Sequence, residues 1–327
     1  MSAPVILVVD DEPANLAQLR SILGQDYQMV YARDGAEAMA AVLKHRPALV
    51  LLDVGLPDIC GYVLCTELRR IDPGQALQVI FITANSGAEQ EAAGFAAGGV
   101  DYIVKPVHAP LVRARVAAHL SLVRATMLER SYRDAIQMLG HAGHFNDNDT
   151  GAHIWRMAAY AVALAHAAGW NAQRCAQLEL AAPMHDTGKL GVPQAILQKP
   201  GPLNAGEWAI MRTHPRLGHD ILSKSDAPVF RLAAEIALYH HERWDGGGYP
   251  YGLAGTDIPE SARIVALADV FDALSMRRPY KEAWPVSDIV SHLRAGAGLQ
   301  FDPRLTTLFI DLMPQLLQIQ QRYADPA

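Results

Sequence analysis

The stretch His240-His241-Glu242-Arg243-Trp244-Asp245-Gly246-Gly247-Gly248-Tyr249-Pro250 sets two adjacent imidazoles before a charged pair and three glycines. Neighbouring imidazoles suit a core badly, because each ring needs polar partners once buried. They suit a metal centre, where neutral ring nitrogens are donors to transition ions. The glycines allow close approaches that side chains would block. Further ligand types occur along the chain. Asp149 and His153 stand four apart, on one face of a helix expected to begin near Thr150-Gly151. His185-Asp186 lie in Met-His-Asp-Thr-Gly-Lys, His214 precedes Pro215 with His219 following, and Asp269 and Asp272 share Ala-Asp-Val-Phe-Asp-Ala-Leu. A lone histidine is most often a surface or satisfied core residue, and Asp269 or Asp272 alone could be a helix-face carboxylate. So many of them inside apolar segments cannot each be satisfied cheaply. A His/Asp set without cysteine favours Fe, Mn, Ni or Zn in a multi-metal centre over a structural zinc. Such a centre polarises a phosphoryl oxygen and clamps both oxygens of an in-line displacement, which is phosphodiester hydrolysis chemistry. Lys189 adds positive charge where negative charge develops.

A second constellation lies earlier. Asp10-Asp11, Asp53, Thr83 and Lys105 each close an apolar run. Clustered carboxylates there call for a hard divalent cation such as Mg²⁺. A carboxylate beside Mg²⁺ and a lysine is placed to accept a phosphoryl group.

The elements that carry these residues follow from the pattern. Val5–Val9, Met29–Ala32, Ala48–Leu52, Val79–Thr83 and Val100–Val104 read as strands. Helical patterns run from Pro13 to Leu23, around Ala36–Lys44 and near Tyr62–Arg70. Alternation of this kind implies an α/β doubly wound parallel sheet, with its site at the carboxyl ends of the strands. From Leu111 to Leu139 the pattern is helical without Gly or Pro, past the length one sheet could cover, and suits a connecting helix paired with its copy in a homodimer. Beyond Ser131 the chain reads as all-α. The expected division is a domain over 1–122, a connecting helix over 123–140 and a second domain over 141–327.

Residues 4 to about 122 resemble a response-regulator receiver domain, a flavodoxin-like fold: Asp10-Asp11, Asp53, Thr83 and Lys105-Pro106 stand where that family has its acidic pair, phosphoacceptor, switch hydroxyl and Lys-Pro, and Gly61 also fits. The resemblance implies phosphorylation of Asp53 by a cognate histidine kinase. It further implies Mg²⁺ held among Asp10, Asp11, Asp53 and the Gly55 carbonyl, and Thr83, Tyr102 and Lys105 as the switch. Residues from about 140 to 315 resemble the HD-GYP family of HD phosphohydrolases, through His185-Asp186 with Gly188-Lys189, and Gly248-Tyr249-Pro250. The flanking words Ile196–Gly201, His214-Pro215, Ile258-Pro259, Arg263–Val265, Arg278–Lys281 and Phe301–Pro303 fit as well.

Carried over, the resemblance implies a cyclic di-GMP phosphodiesterase releasing pGpG and then GMP. His153, His185, Asp186, His214, His240, His241 and Asp269 would be metal ligands, and Lys189 would assist catalysis. Arg278 and Lys281 would hold substrate phosphates. Tyr249 would lie near the substrate or dock a partner such as a GGDEF-domain diguanylate cyclase. Trinuclear members carry a glutamate where this chain has Asp149. The shorter side chain implies two metals, Fe or Mn before Ni or Zn, with a third only if Asp149 reaches. Binuclear members of the family are the weaker ones and favour pGpG.

The totals bound these readings. At 327 residues, half of them hydrophobic, the chain has room for about two domains, and its formal charge of −6 argues against DNA or an anionic membrane as a general partner. Cys60, Cys65 and Cys175 form no ligand or disulfide framework and are expected to be small buried hydrophobes in a reducing, cytoplasmic setting. The N-terminus runs directly into a strand, and no apolar run reaches membrane-spanning length. Two other functions fit less well. One is an inactive module that acts only by docking a cyclase, which need not keep costly clustered histidines. The other is a nucleotide or phosphomonoester hydrolase, against which the Gly-Tyr-Pro loop, Arg278 and Lys281 argue.

Overall fold

The computed structural model describes residues 3–71, 77–84, 87–144, 151–276 and 282–323. Packing divides the chain into two units, Met1–Ser131 and Tyr132–Ala327.

In the first unit, β1 (Val5–Val9), β2 (Gln28–Ala32), β3 (Leu49–Asp53), β4 (Gln78–Thr83) and β5 (Asp101–Val104) form one parallel sheet in the order β2-β1-β3-β4-β5. The helices between them are α1 (Pro13–Leu23), α2 (Gly35–His45), α3 (Gly61–Ile71) and α4 (Ala88–Ala96). Because side chains alternate along a strand, the sheet feeds two cores. Ile6, Val8, Leu49, Leu51, Ile80 and Ile82 pack with Leu19, Ile22 and Leu23 of α1. Leu7, Val9, Val50, Leu52, Val79 and Phe81 pack with Ala38 and Val42 of α2 and Leu64, Cys65 and Leu68 of α3. Strands buried on both faces explain why the sequence shows continuous apolar runs there. The strand order reverses between β1 and β3, so the crevice at their carboxyl ends receives Asp10 and Asp53.

α5 (Ala109–His144) is one unbroken helix. Val112, Val116 and Leu120 cover the sheet, whereas Ile136 belongs to the core of the second unit. The expected boundaries at 122/123 and 140/141 therefore both fall inside a helix. It includes Gly140 and Gly143 where other segments pack close, a Cβ at Gly140 standing 3.2 Å from the Pro183 Cβ. A Cβ at Gly143 would stand 2.9 Å from the Thr187 Cα.

The second unit is helical: α6 (Gly151–Ala167), α7 (Ala172–Ala181), α8 (Gln194–Leu197), α9 (Ala205–Met211), α10 (His214–Leu222), α11 (Pro228–Tyr239), α12 (Glu260–Ser275), α13 (Val286–Gly296), α14 (Pro303–Asp311) and α15 (Met313–Arg322). α12 is its axis. Ala262, Ile264, Val265, Leu267, Ala268 and Phe271 are completely buried, as expected of a helix that is apolar nearly all round. Some motif words prove to be scaffold. Arg263 donates to the Ile258 carbonyl and pairs with Asp302, whose carboxylate caps α14 at the Arg304 and Leu305 amides. One sequence expectation fails: Cys65 and Cys175 are buried, but Cys60 is exposed, in the turn before α3 rather than on its inner face.

Candidate active site

His185 and Asp186 sit between two tight turns, Ala182–Met184 and Thr187–Gly191, which aim consecutive side chains into one space. Gly188 lets α10 approach. A Cβ there would lie 1.8 Å from the His214 carbonyl oxygen, so no other residue fits without moving the start of α10. His240 ends α11, His153 comes from α6, and Asp269 from α12.

Three imidazoles are oriented the same way. The Nδ1–H of His185 donates to the Ala182 carbonyl at 3.0 Å, and that of His214 to Met211 at 2.8 Å. The Nδ1–H of His240 donates to Ile236 and Ala237 at 3.1 and 3.0 Å. A carbonyl can only accept, so each Nδ1 carries the proton and each Nε2 presents a lone pair. Those lone pairs converge on one carboxylate. His185 Nε2 lies 3.3 Å from Asp186 Oδ2, with His214 and His240 Nε2 3.2 and 3.5 Å from Asp186 Oδ1. The Nε2 atoms of His214 and His240 are buried and make no hydrogen bond. Acceptors facing an acceptor in a dry space call for a cation between them. The donor set thus fits a metal.

Two donor groups are in place: Asp186, His214, His240 and His241 in one, and His153, His185 and Asp269 in the other, each within 4.8 Å. His153 Nε2 is 3.7 Å from Asp269 Oδ1, while its Nδ1–H donates to Asp272 at 2.5 Å. Asp272 is held in turn by the buried Arg156, through Nε and, at 2.8 Å, Nη2. Asp272 and Arg156 were not in the expected site. The signal was the one-turn spacing of His153 to Arg156 and of Asp269 to Asp272, which puts each pair on one helical face.

Burial would raise the Asp186 carboxyl, but Lys189, with Nζ at 2.7 Å, holds it well below the usual range. Burial depresses His240 and, more strongly, His241, which also faces His240 and His214; both stay neutral and ready to ligate.

Residues 120–305 match the HD domain family, and residues 6–117 the response regulator receiver domain. The chain belongs to the HD-domain response regulators. It is 36% identical to a "Probable cyclic di-GMP phosphodiesterase" of Vibrio cholerae, across 99% of this chain and 81% of that one. It is 35% identical to the "Cyclic di-GMP phosphodiesterase response regulator RpfG" of Xanthomonas campestris pv. campestris, across 96% and 89%. A V. cholerae "3'3'-cGAMP-specific phosphodiesterase 2" is 41% identical across 61% of this chain and 38% of its own length.

In this HD-domain response regulator the Gly-Tyr-Pro loop closes over the donor group of Asp186, His214, His240 and His241. The Tyr249 ring stacks on His241, centroids 4.7 Å apart and 26° from parallel. Burial, with Asp186 nearby, raises the Tyr249 hydroxyl, so the ring is a neutral wall. The buried Glu242 latches the loop, accepting from the Tyr251 and Leu253 amides at 2.8 and 3.0 Å. Gly248 is required by contact, since a Cβ would stand 2.4 Å from the Arg243 nitrogen. A cavity of about 250 Å³ opens beside His241, Tyr249 and Asp269. Asp149, Arg278 and Lys281 lie outside the described residues. His219 is exposed beside Asp220 and takes no part.

In the receiver domain, Asp10, Asp11 and Asp53 bring oxygens within 4.8 Å of one another. Lys105 Nζ reaches both Asp10 and Asp53, at 3.0 and 2.7 Å. Burial would lower the Lys105 ammonium, but its contacts with the two carboxylates raise it on balance. Thr83 is buried at the end of β4, and Tyr102 lies on β5 under the Arg115 guanidinium, 5.7 Å from its ring centroid. The Gly55 amide lies 3.4 Å from Asp53. Gly61 leaves room for the Asp53 backbone, whose carbonyl oxygen would lie 2.3 Å from a Cβ there. Among the described residues no helix is long and apolar enough to cross a membrane.

Proposed function

We propose that this response regulator is a cytoplasmic, metal-dependent phosphodiesterase that opens cyclic di-GMP to pGpG, with GMP as a further product, under control of phosphorylation at Asp53. The convergence of three oriented imidazole Nε2 atoms on Asp186 carries the reading. The two donor groups suit two metals, held by His153, His185, Asp186, His214, His240, His241 and Asp269, and we take Fe or Mn ahead of Ni or Zn. Bound there, they would supply Lewis-acid polarisation of the phosphate and an activated water. The chain's own residues do the rest. Lys189 Nζ, 2.7 Å from Asp186 Oδ2, offsets charge where the scissile phosphate gains it. Tyr249 walls the site on the His241 side and excludes water. Arg278 and Lys281 complete the grip on substrate phosphate.

In the receiver domain, Lys105 and a Mg²⁺ held by Asp10, Asp11 and Asp53 would neutralise the phosphoryl group on Asp53. Thr83 and Tyr102 would report it, and α5 leads from that domain into the second. Leu122, Met127 and Leu128, each more than half exposed on α5, support a homodimer paired along that helix. Tyr251, 55% exposed in the Gly-Tyr-Pro loop, offers a face for a diguanylate cyclase.

The test is turnover of cyclic di-GMP by protein loaded anaerobically with Fe²⁺ or Mn²⁺, following pGpG and GMP separately, beside the His185→Ala, Asp186→Ala variant. Turnover by the wild type alone is expected. Loaded protein that binds metal but cleaves neither cyclic di-GMP nor pGpG overturns the reading. The 41% identity to a 3'3'-cGAMP phosphodiesterase favours that dinucleotide as a second substrate, so the same assay includes it.

A further inference from the structure

Asp10 follows β1 and is completely buried, and donors converge on both of its carboxylate oxygens. The Glu12 amide donates to Oδ1 at 2.9 Å, and Lys105 Nζ to Oδ2 at 3.0 Å. Asn15 Nδ2 donates to both, at 2.9 and 3.0 Å, and also lies 3.2 Å from Glu12 Oε2. Ionised carboxylate oxygens can only accept, so the Asn15 amide is turned with its NH2 toward them. Among the described residues, Asn15 and Lys105 are the side chains that donate to Asp10.

The start of α1 places Asn15. Glu12 is the N-cap and Pro13 opens the helix, which makes Asn15 its third residue. Helical side chains lean toward the N-terminus, and Asp10 lies in that direction. Helix stability does not explain the residue. Asn is a poor helix former, and an acid in the first turn would suit the macrodipole better. The first turn of α1 nevertheless holds no acid. One placed at Asn15 would set a further carboxylate against Asp10, which already lies within 4.8 Å of Asp11 and Asp53 oxygens. The neutral amide holds Asp10 without adding charge.

We infer that Asn15 is a positioning residue for the Mg²⁺ site, fixing Asp10 in the pose that receives the ion. The inference rests on the receiver-domain reading above. Lys105 is not a dedicated hold, because its ammonium is shared with Asp53 at 2.7 Å and is called on by the phosphoryl group formed there. Asp10 then keeps Asn15 and the Glu12 amide. A cavity of about 410 Å³ opens beside Asp10, Asn15, Gln18 and Lys105. Water from it can replace part of a truncated amide, but not where an apolar side chain of the same size fills the gap.

The experiment follows the rate at which acetyl phosphate labels full-length protein as Mg²⁺ is raised, giving a half-saturating concentration and a maximal rate. Wild type, Asn15→Ala, Asn15→Leu and Asn15→Gln are compared. The half-saturating concentration is expected to rise about tenfold in Asn15→Ala and up to about a hundredfold in Asn15→Leu, at a maximal rate near that of the wild type. Asn15→Gln, with the amide on a longer stem, recovers part of the loss. A second readout needs no phosphodonor. It is the Mg²⁺ concentration needed for a given rise in Tm, taken in the His185→Ala, Asp186→Ala background so that the donors of the second unit do not contribute. It should shift in the same order. An unchanged Mg²⁺ requirement in Asn15→Ala or in Asn15→Leu overturns the inference, as does a lower maximal rate or a lower Tm at unchanged Mg²⁺ requirement. Wild type that takes up no phosphoryl group overturns the receiver-domain reading instead, and the Tm series then decides on Asn15 by itself.

Discussion

His153 and Asp272, 119 residues apart in sequence, meet through a 2.5 Å hydrogen bond from Nδ1 to Oδ2. The bond turns the other nitrogen of His153 toward Asp269 and the metal donors. It does for His153 what backbone carbonyls do for His185, His214 and His240. A carboxylate behind a ligating imidazole fixes its tautomer and raises its basicity, and losing one typically costs tenfold to a hundredfold in metal affinity. Asp272→Asn is therefore expected to weaken Mn²⁺ binding by about ten- to a hundredfold. It also removes the charge that Arg156 grips, at a cost of roughly 3–5 kcal/mol in stability. Metal titration and urea unfolding check the two effects. Wild-type affinity in Asp272→Asn sinks the argument.

Gly188 and Gly206 make opposite predictions for the same substitution. A Cβ at Gly188 meets the His214 carbonyl at 1.8 Å and the Gly218 nitrogen at 2.5 Å, both backbone atoms that cannot turn aside. Gly188→Ala is expected to destabilise the domain by about 1–3 kcal/mol or more and to displace His214, lowering metal content. Gly206 lies in α9 with only the Asn204 side chain nearby, at 3.5 Å. Gly206→Ala should stabilise by about 0.4–1 kcal/mol. Thermal unfolding of the two variants decides; equal effects would contradict the packing argument.

Much of this was legible because the residues involved sit in patterns with physical periods. The five strands showed as apolar runs, since a parallel sheet buries both faces, and the lack of Gly and Pro between Leu111 and Leu139 marked α5 as continuous. The paired histidines were legible because His240 and His241 make no sense as core. Other features depend on partners remote in sequence. The one-turn spacing of Arg156 from His153 puts it on the same face but does not say that it will clasp an aspartate 116 positions away, and nothing in Glu242 says that its carboxylate will take two loop amides. α4 escaped notice because its Ala- and Glu-rich stretch buries Gly94 and no large residue, so it has no apolar stripe. Cys60 was misplaced because residue type alone does not say which side of a turn faces water.

The Glu242 latch predicts a loop effect separable from metal loss. Hydrogen bonds to a charged group are worth about 1.5–3 kcal/mol, and Glu242 makes two of them. Glu242→Ala should free the Gly-Tyr-Pro loop, speed its proteolysis and raise KM, while the imidazoles keep their backbone anchors and the protein keeps its metal. Metal loss in step with KM would instead mark Glu242 as part of the donor frame.

In the receiver domain, Lys105 bridges Asp10 and Asp53, so the acceptor is already paired with the cation that its phosphorylated form needs. Incubation with acetyl phosphate and Mg²⁺ is expected to add one phosphoryl group to the wild type and none to Asp53→Asn. Chelating Mg²⁺ should stop the reaction, because Asp10 and Asp11 otherwise repel the incoming group. Labelling that survives in Asp53→Asn would move the acceptor elsewhere.

Metal removal should be felt as lost stability as well as lost turnover. The donor imidazoles and Asp186 come together only through the fold, from α6, α10, α11, α12 and the turns around His185, so a metal binds the folded state and not the unfolded chain. Linkage then gives about 2.7 kcal/mol at a hundredfold excess of free metal over Kd. For a domain of this size that is a rise of several degrees in Tm, concentrated in the second unit. Chelator should abolish the rise, and the His185→Ala, Asp186→Ala variant should never show it, whereas Asp53→Asn should show it in full. A metal-induced shift that persisted in the double variant would mean that the ion binds elsewhere, and the convergence on Asp186 would lose its meaning.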